Sequence, residues 1–258
     1  MTPLASVEVF HLIFLNHLGS RVSRNLFALK GGCNLRFFHK SIRFSEDLDL
    51  DVHTLARDTL KKQVSSLFDA APFKQMLQTR GITLLEWSAP KQTDTVQRWK
   101  VSLQAPGSDV PIPTKIEFSR RPAAEPAQVE PIDSDLIRTY GLYPILCSHY
   151  AREIAFRQKV LALMQRAETQ ARDVFDLEHL LRGSLHPKSP KDCGRQELAK
   201  AQENALSMSA EDFRSQVVAY LPPEFQEHYS RPEVWDALVA KVVDALEAMK
   251  SEDRDGAS

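Results

Sequence analysis

The chain has 258 residues, of which 43% are hydrophobic and 26% charged, and its formal net charge is −1. This composition is ordinary for a soluble globular protein, and the length is enough for one good core or two subdomains. A charge near zero does not demand a nucleic-acid partner, so any RNA contact must come from a local basic patch.

An apolar segment from Leu4 to Leu18 predicts the first helix. Four of its apolar residues recur at helical intervals, which indicates a packing helix. They are Val7, Phe10, Phe14 and Leu18. His11 and His17 are interpreted as ordinary surface or packing residues rather than ligands.

Two adjacent glycines predict a tight turn between a strand and a helix. The apolar run at residues 27 to 29 stops at Lys30, Gly31 and Gly32, after which apolar residues recur at roughly helical spacing. Glycine lets the backbone approach a phosphate closely, and the free amides at a helix N-terminus favour an anion. Gly31 and Gly32 are therefore predicted to bind phosphate. Alone, such a pair is more often just a turn.

The next predicted strand carries acidic residues at alternate positions. Because strand side chains alternate between faces, Asp47, Asp49 and Asp51 should share one face while the Leu and Val residues between them enter the core. Hard carboxylate oxygens suit Mg²⁺. Asp47 and Asp49 are therefore predicted to hold Mg²⁺, with Mn²⁺ as the alternative. The competing interpretation is a surface strand with solvated acids.

The turn and the acidic strand together predict nucleotidyl transfer. A phosphate-binding turn followed by a strand that begins with Asp-x-Asp is a moderately specific pattern for nucleoside-triphosphate (NTP) binding. The predicted reaction moves a nucleoside monophosphate to an acceptor hydroxyl and releases pyrophosphate. Arg43 and Ser45, just before the strand, are secondary phosphate-binding candidates.

A helix is predicted from Thr54, its candidate N-cap, to Ala70. Three short β-like runs follow at residues 81 to 87, 96 to 103 and 112 to 119. The segment from 120 to 134 contains three prolines and little periodic hydrophobicity, so it is interpreted as a linker or long loop.

The last β-like run supplies a candidate third carboxylate. Ile116 and Phe118 should face one way, and Lys115 and Glu117 the other. Nucleotidyl transfer needs a base or second-metal ligand near the attacking hydroxyl, and Glu117 on a neighbouring strand could supply it. The competing interpretation is a solvent-facing glutamate on an edge strand.

The pattern becomes helical from about Tyr150. Arg152, Lys159 and Arg166 are spaced by seven residues, so they should form one stripe. A solvated basic stripe is the usual explanation. A cation at Lys159 could instead neutralise the triphosphate as charge develops during transfer.

A second helical stretch contains Arg172, Asp173 and Asp176, and the i, i+3 spacing puts the two acids near each other. Acidic residues also favour a helix N-terminus, which is the structural explanation. A loop at 184 to 195 and three amphipathic stretches follow. These stretches lie near residues 196 to 207, 210 to 220 and 231 to 249.

Two separated motifs resemble the AbiEii/AbiGii nucleotidyltransferase toxins, which belong to the polymerase-beta-like nucleotidyltransferase superfamily. The first motif covers residues 29 to 38 and 43 to 50. The second comprises Lys159 and residues 171 to 177, which resemble the family's Lys and Arg-Asp-x-x-Asp motifs. Cys33 departs from the pattern, because the family often has Thr or a similar small hydroxyl residue there.

The resemblance implies an α+β fold with a nucleotidyltransferase core of mixed sheet, followed by a mostly helical C-terminal part. The expected domains are a core at residues 1 to 125, a helical domain at 135 to 250 that closes the cleft, and a flexible tail at 251 to 258. It also implies that at least one of Asp173 and Asp176 completes the active site, and that Arg172 helps to position it or binds phosphate.

The resemblance further implies a toxin of a toxin–antitoxin or phage-defence system, with tRNA as the acceptor and an antitoxin that carries a DNA-binding domain. Transfer to a small molecule or to a protein side chain is a competing hypothesis. A non-catalytic binding module that retains the fold is another.

The expected compartment is the cytoplasm. The three cysteines lie far apart and lack the spacing of metal ligands, which argues for free thiols in a reducing compartment. No apolar run approaches the roughly 18 residues of a membrane span, and the N-terminus lacks the basic start of a secretory signal.

Overall fold

The computed structural model describes residues 1–120, 125–182 and 194–255. It divides the chain into two compact units. The first unit contains Met1–Lys40 and Phe44–Ala151, and the second contains Ser41–Arg43 and Arg152–Ser258. Residues 41 to 43 therefore belong to the second unit, although the chain on both sides of them belongs to the first.

The first unit combines a sheet with helices. Its helices are α1 (Pro3–Gly19), α2 (Gly31–Phe38), α3 (Arg57–Asp69), α4 (Ala71–Gln78) and α5 (Ser134–Thr139), with a short 3-10 turn at Arg24–Leu26. Its strands are β1 (Phe27–Lys30), β2 (Asp47–Val52), β3 (Thr83–Gln92), β4 (Val96–Gln104), β5 (Ile112–Arg120), β6 (Ala127–Pro131) and β7 (Leu146–Tyr150).

The seven strands form one mixed sheet in the order β3-β4-β5-β2-β1-β7-β6. β2 runs parallel to β5, and β1 runs parallel to β7, whereas the other neighbouring pairs are antiparallel. β1 lies near the middle, where Phe27, Ala28 and Leu29 are all buried. Continuous burial of this kind explains why β1 is an uninterrupted apolar run without polar alternation.

α1 is largely buried, and its buried residues are apolar apart from Ser6, Glu8 and His11. Its N-terminus is capped by Thr2, whose hydroxyl accepts a hydrogen bond from the Ala5 amide at 3.2 Å. Inside the unit, Phe10 packs against the rings of Phe68 and Phe73 at centroid distances of 6.4 and 6.0 Å. This aromatic cluster joins α1 to α3 and α4.

The second unit is helical in its described part. Its helices are α6 (Arg152–Gln165), α7 (Ala171–Leu181), α8 (Arg195–Leu206), α9 (Ala210–Gln216), α10 (Pro223–Tyr229) and α11 (Pro232–Asp255), with a 3-10 turn at Val218–Tyr220. The core includes Phe213, whose ring stacks on Trp235 with centroids 4.6 Å apart.

The predicted α+β class with a mixed sheet is confirmed, as are the first helix and the three β-like runs to within a few residues at most ends. The N-cap prediction was wrong, because α3 begins at Arg57 after Ala56 and Thr54 has a positive φ of 49°. None of the helices in the described ranges combines the length and the apolar character that crossing a membrane requires.

The structure places the boundary between the two parts later than the sequence predicts. β6 lies inside the predicted linker and pairs with β7, which pairs in turn with β1, so residues up to Ala151 belong to the first unit. α11 continues to Asp255, so most of the predicted flexible tail is helical. The predicted loop at 184 to 195 falls mostly on residues 183 to 193, which lie outside the described ranges.

The aromatic cluster gives a stability prediction. We expect Phe10→Ala to lower the free energy of unfolding by about 3 to 5 kcal/mol, because it leaves a cavity among packed rings. Leu85→Ala is the control, since Leu85 is 48% exposed and should matter little. Chemical denaturation followed by circular dichroism measures both, and similar losses in the two variants would contradict the packing role of Phe10.

Candidate active site

The acidic strand β2 has the two faces that its sequence predicts. Leu48 and Leu50 are fully buried, whereas Asp47 and Asp49 are half-buried on the other face. In the sheet register, Asp49 lies between Lys30 of β1 and Glu117 of β5. Opposed residues on neighbouring strands have close side chains, so Asp49 has a cation on one side and an acid on the other.

Gly31 brings the backbone close to the Asp49 carboxylate. Its φ is +66°, in the region that favours glycine, and an added Cβ would lie 3.1 Å from the Asp49 Oδ2 atom. Because α2 begins at Gly31, the first amides of this helix lack intrahelical partners and can bind an anion. Gly32 is the second residue of the same helix. The two predicted elements, the glycine turn and the acidic strand, are therefore adjacent in space.

Basic side chains accompany the acids on this face of the sheet. The Lys115 Nζ atom lies 2.8 Å from the Asp47 carboxylate. The Arg98 Nε atom donates to Glu117 at 2.6 Å. β5 lies between β4 and β2, so Glu117 is not on an edge strand, and that competing interpretation was wrong.

Asp51, the third acid of β2, is buried and already satisfied within the protein. It accepts hydrogen bonds from the Lys30 Nζ atom at 2.5 Å and from the Tyr150 hydroxyl at 2.9 Å. These contacts hold the Lys30 ammonium group next to Asp49 in the sheet. Asp51 therefore positions a cation in this site.

Asp49 has the electrostatic environment of a cation ligand. Burial raises the pKa of its carboxyl, Lys30 and Lys115 lower it, and the nearby acids Asp47 and Glu117 raise it, so that the net direction is upward. A divalent cation would relieve both the burial cost and the repulsion. The oxygen donors of Asp47 and Asp49 fit Mg²⁺. Within the described ranges, no group of three or more His, Cys, Asp or Glu residues forms a metal-binding cluster.

The second unit contains a buried ion network. The Lys159 Nζ atom lies 2.8 Å from Asp173 and 2.6 Å from Asp176, both of which are fully buried. The Arg166 Nε atom lies 2.8 Å from the Oδ2 atom of Asp173, although without hydrogen-bond alignment. Arg43 donates to both oxygens of Asp176, at 3.0 and 2.8 Å.

This network determines the protonation of Asp176. Burial alone would raise the pKa of its carboxyl, but the Arg43 and Lys159 cations lower it to about 2. The structure also overturns the solvated basic stripe. Lys159 and Arg166 contact Asp173 of α7, and Arg152 donates to the backbone carbonyls of Arg182 and His179 at the end of α7.

Ser45 and Arg172 are the remaining candidates for phosphate binding. The Ser45 hydroxyl donates to the Asp47 carbonyl at 2.9 Å, so its one proton is used inside the protein. Arg172 is half-buried and makes no ion pair with another residue of the described ranges. Phosphate binding by Ser45, Arg43 or Arg172 stays a prediction.

Lys30 and Tyr150 lie at the site although the sequence pattern did not predict them as site residues. Lys30 directly precedes Gly31, and that adjacency was the available signal. Tyr150 is 99 positions from Asp51, and nothing local in the sequence indicates their contact.

A comparison with protein families decides the identity of the chain. The sequence model of the nucleotidyl transferase AbiEii toxin family, a type IV toxin–antitoxin system, matches residues 13–254. The chain belongs to the AbiEii family. It is therefore a nucleotidyltransferase toxin, which takes an NTP as substrate and has an antitoxin partner.

Solved structures support the fold of this AbiEii toxin. JHP933 from Helicobacter pylori is 19% identical with a TM-score of 0.58, and the match covers 100% of this chain and 99% of that chain. MenT4, a nucleotidyltransferase toxin from Mycobacterium tuberculosis, is 17% identical with a TM-score of 0.58, over 97% of this chain and 95% of that chain. No curated protein matches the chain. The matches extend over both units.

The ion network of the AbiEii toxin predicts acid sensitivity. The pKa of Asp176 is about 2 in the folded chain, against an ordinary value of 3.8. Its ion pairs therefore stabilise the fold fully at pH values above the ordinary pKa. That contribution, roughly 2 kcal/mol, is lost as the pH falls through the folded pKa. We expect Asp176→Asn to lose roughly 3 to 5 kcal/mol at neutral pH, because it leaves Arg43 and Lys159 facing an amide.

Hydrogen exchange of α7 peptides at several pH values measures this effect. The difference in hydrogen-exchange protection of α7 between wild type and Asp176→Asn should become smaller as the pH falls from about 5 to about 2. Asp244→Asn is the matched control, because Asp244 is exposed on α11. A difference that stays constant over this range would contradict the assigned ion pairs.

Proposed function

We propose that this toxin transfers a nucleoside monophosphate from an NTP to an acceptor hydroxyl in a reaction that depends on a divalent metal ion. The observation that carries the proposal is the placement of Asp49. Its carboxylate is opposed by Lys30 and Glu117 in the sheet and lies against the Gly31 backbone. Burial and neighbouring acids disfavour its ionised form, so the site is suited to a bound cation.

The metal ligands in this proposal are Asp47 and Asp49, with Mg²⁺ as the metal and Mn²⁺ as the alternative. The bound ion supplies positive charge that polarises the phosphate and offsets the charge that develops during transfer. Lys115, whose Nζ atom lies 2.8 Å from the Asp47 carboxylate, holds that carboxylate in position. Carboxylate and backbone groups then define where the triphosphate binds.

The triphosphate is bound by the first amides of α2 and by nearby cations. Gly31 and Gly32 place backbone amides at the helix N-terminus beside Asp49. Lys30 adds an ammonium group that is held by Asp51. A fixed ammonium group and fixed amides stabilise phosphate charge without reorganisation, which is the main advantage of a preorganised site.

Glu117 is proposed to assist the acceptor hydroxyl. It is the sheet neighbour of Asp49, and its carboxylate accepts a hydrogen bond from Arg98 at 2.6 Å. The register of β2 and β5 places Glu117 on the same face of the sheet as Asp47 and Asp49. A carboxylate in that position can accept the proton that the attacking hydroxyl loses.

Lys159, Asp173 and Asp176 of the second unit are proposed to act in nucleotide transfer, because they match the second motif of the family resemblance. Three cations face two fully buried carboxylates in this network, which leaves a positive excess for a phosphate. Lys159 contacts both acids, so its ammonium group has a defined position. In this role Lys159 offsets triphosphate charge, and the two acids hold it in place.

The proposed acceptor is tRNA, and the proposed setting is a toxin–antitoxin or phage-defence system whose antitoxin carries a DNA-binding domain. Family membership and the motif resemblance support this assignment. Incubation of the toxin with each labelled NTP and total RNA, lysate protein or small hydroxylated compounds tests it. We expect nuclease-sensitive label in the tRNA fraction. Label on protein or on a small molecule would replace tRNA as the acceptor.

Substitution of Asp49 separates catalysis from stability. We expect Asp49→Asn to lower nucleotide transfer at least roughly 100-fold and to abolish growth inhibition. Because folding raises the pKa of this carboxyl, the charged form is disfavoured in the fold, and the variant should be at least as stable as the wild type. The opposite sign is expected for Asp176→Asn.

Transfer assays and chemical denaturation of the same preparations provide the measurement. Asp58→Asn is the control, because Asp58 is 85% exposed on α3 and should affect neither quantity. Growth inhibition by a folded Asp49→Asn variant would favour the binding-module hypothesis instead.

A further inference from the structure

A chain of buried polar groups lies beneath the first residues of β2. It contains His11 of α1, Cys33 of α2 and Thr114 of β5, which are at most 5% exposed. The Thr114 hydroxyl donates to the Glu46 carbonyl at 2.7 Å, and the Cys33 thiol donates to the Asp47 carbonyl at 3.3 Å. His11 lies between them, 2.8 Å from the Thr114 oxygen and 3.6 Å from the Cys33 sulfur.

The proton count of this chain determines the histidine tautomer. Thr114 has a single hydroxyl proton, and that proton is donated to the Glu46 carbonyl. Thr114 must therefore accept from the His11 Nε2 atom, which carries the imidazole proton. The Nδ1 atom is then unprotonated and lies 3.6 Å from the Cys33 sulfur, whose one proton is donated to the Asp47 carbonyl. Burial lowers the pKa of His11 to about 3, in agreement with a neutral ring.

Burying His11, Cys33 and Thr114 costs free energy unless their polar atoms find partners, because all three side chains are removed from water. Buried polar groups are tolerated only when they are hydrogen-bonded, and an apolar side chain would pack here without that requirement. The two acceptors that the chain reaches are the carbonyls of Glu46 and Asp47. Glu46 directly precedes β2, and Asp47 is the first residue of β2.

Asp47 needs such support because it has a strand neighbour on one side only. β1 ends at Lys30, which is opposite Asp49, so among the described strands Asp47 has a single sheet partner, Lys115 of β5. The thiol of Cys33 and the hydroxyl of Ser45 both donate to the Asp47 carbonyl at this strand end. They replace the contacts that a continuing β1 would have made.

We propose that His11, Cys33 and Thr114 are positioning residues that fix the backbone of Glu46 and Asp47 and thereby the direction of the Asp47 carboxylate. This inference rests on the proposed function, in which Asp47 is a metal ligand. Groups that orient metal ligands from behind typically change metal affinity when they are removed. His11, Cys33 and Thr114 act through Asp47 and do not touch the reacting atoms.

Thr114→Val tests the inference, because valine keeps the shape of threonine and removes its hydroxyl. We expect Mn²⁺ affinity of the full chain, measured by electron paramagnetic resonance, to fall roughly tenfold. The Mg²⁺ concentration for half-maximal transfer should rise similarly, while kcat at saturating Mg²⁺ stays close to wild type. Thr114→Ser restores the hydroxyl and should restore the affinity. Cys33→Ala and Cys33→Ser form a second pair if Thr114→Val does not fold.

Ser65→Ala is the matched control. Ser65 lies in the same unit and accepts a hydrogen bond from Trp99 at 3.2 Å, and it is not one of the three proposed positioning residues. It should lower stability without changing Mn²⁺ affinity. Nitrogen NMR should show the His11 proton on Nε2, and a proton on Nδ1 would overturn the inference.

The outcomes distinguish the inference from the proposed function. Loss of Mn²⁺ affinity in Thr114→Val with recovery in Thr114→Ser supports positioning, even if the wild type transfers no nucleotide. Equal Mn²⁺ affinity in the wild type, Thr114→Val and Cys33→Ala overturns the inference and leaves the proposed function standing. A wild-type chain that binds no Mn²⁺ overturns both.

Discussion

The first unit is organised around a carboxylate that would be unfavourable without a cation. Asp49 lies in the middle of a mixed sheet, where burial and two neighbouring acids disfavour its charge. The surrounding contacts address this problem. Lys30 opposes Asp49 and is held by Asp51, and Lys115 pairs with Asp47. Even with these cations nearby, the net direction of the Asp49 pKa is upward, and this property supports the proposal that Asp49 is a metal ligand.

In the second unit the pKa of the central buried acid, Asp176, is lowered, whereas the pKa of Asp49 in the first unit is raised. Asp176 accepts hydrogen bonds from Arg43 and lies 2.6 Å from Lys159, so its ionised form is strongly favoured. A network of this kind stabilises the fold only while all of its members are present, because removal of one leaves an unpaired buried charge. Arg43 comes from a three-residue segment far away in sequence, which makes that segment part of the second unit. The two clusters thus differ in the direction of the pKa of their central acid.

Local periodicity explains which parts of this structure were predictable. The alternation in β2 has a period of two, and a register shift would have exposed Leu48 and Leu50, so the acidic face could be read directly. The partners of charged residues could not, because Asp51 meets Tyr150 and Asp176 meets Arg43 across 99 and 133 positions. β6 was missed because all of its residues are exposed and two prolines lie in or next to it. The position of β5 inside the sheet likewise depends on pairing, which composition does not encode.

The departure at Cys33 is explained by where its side chain lies. The thiol is buried and donates to the Asp47 carbonyl, so it belongs to the support of β2 and is directed into the core. Threonine, which the family often has at this position, also carries one donor proton on a small side chain. Both residues can therefore make the same contact with a backbone carbonyl. Burial raises the pKa of the Cys33 thiol well above its usual value, which keeps the proton needed for that contact. The exchange of hydroxyl for thiol is consistent with an unchanged role in this part of the site.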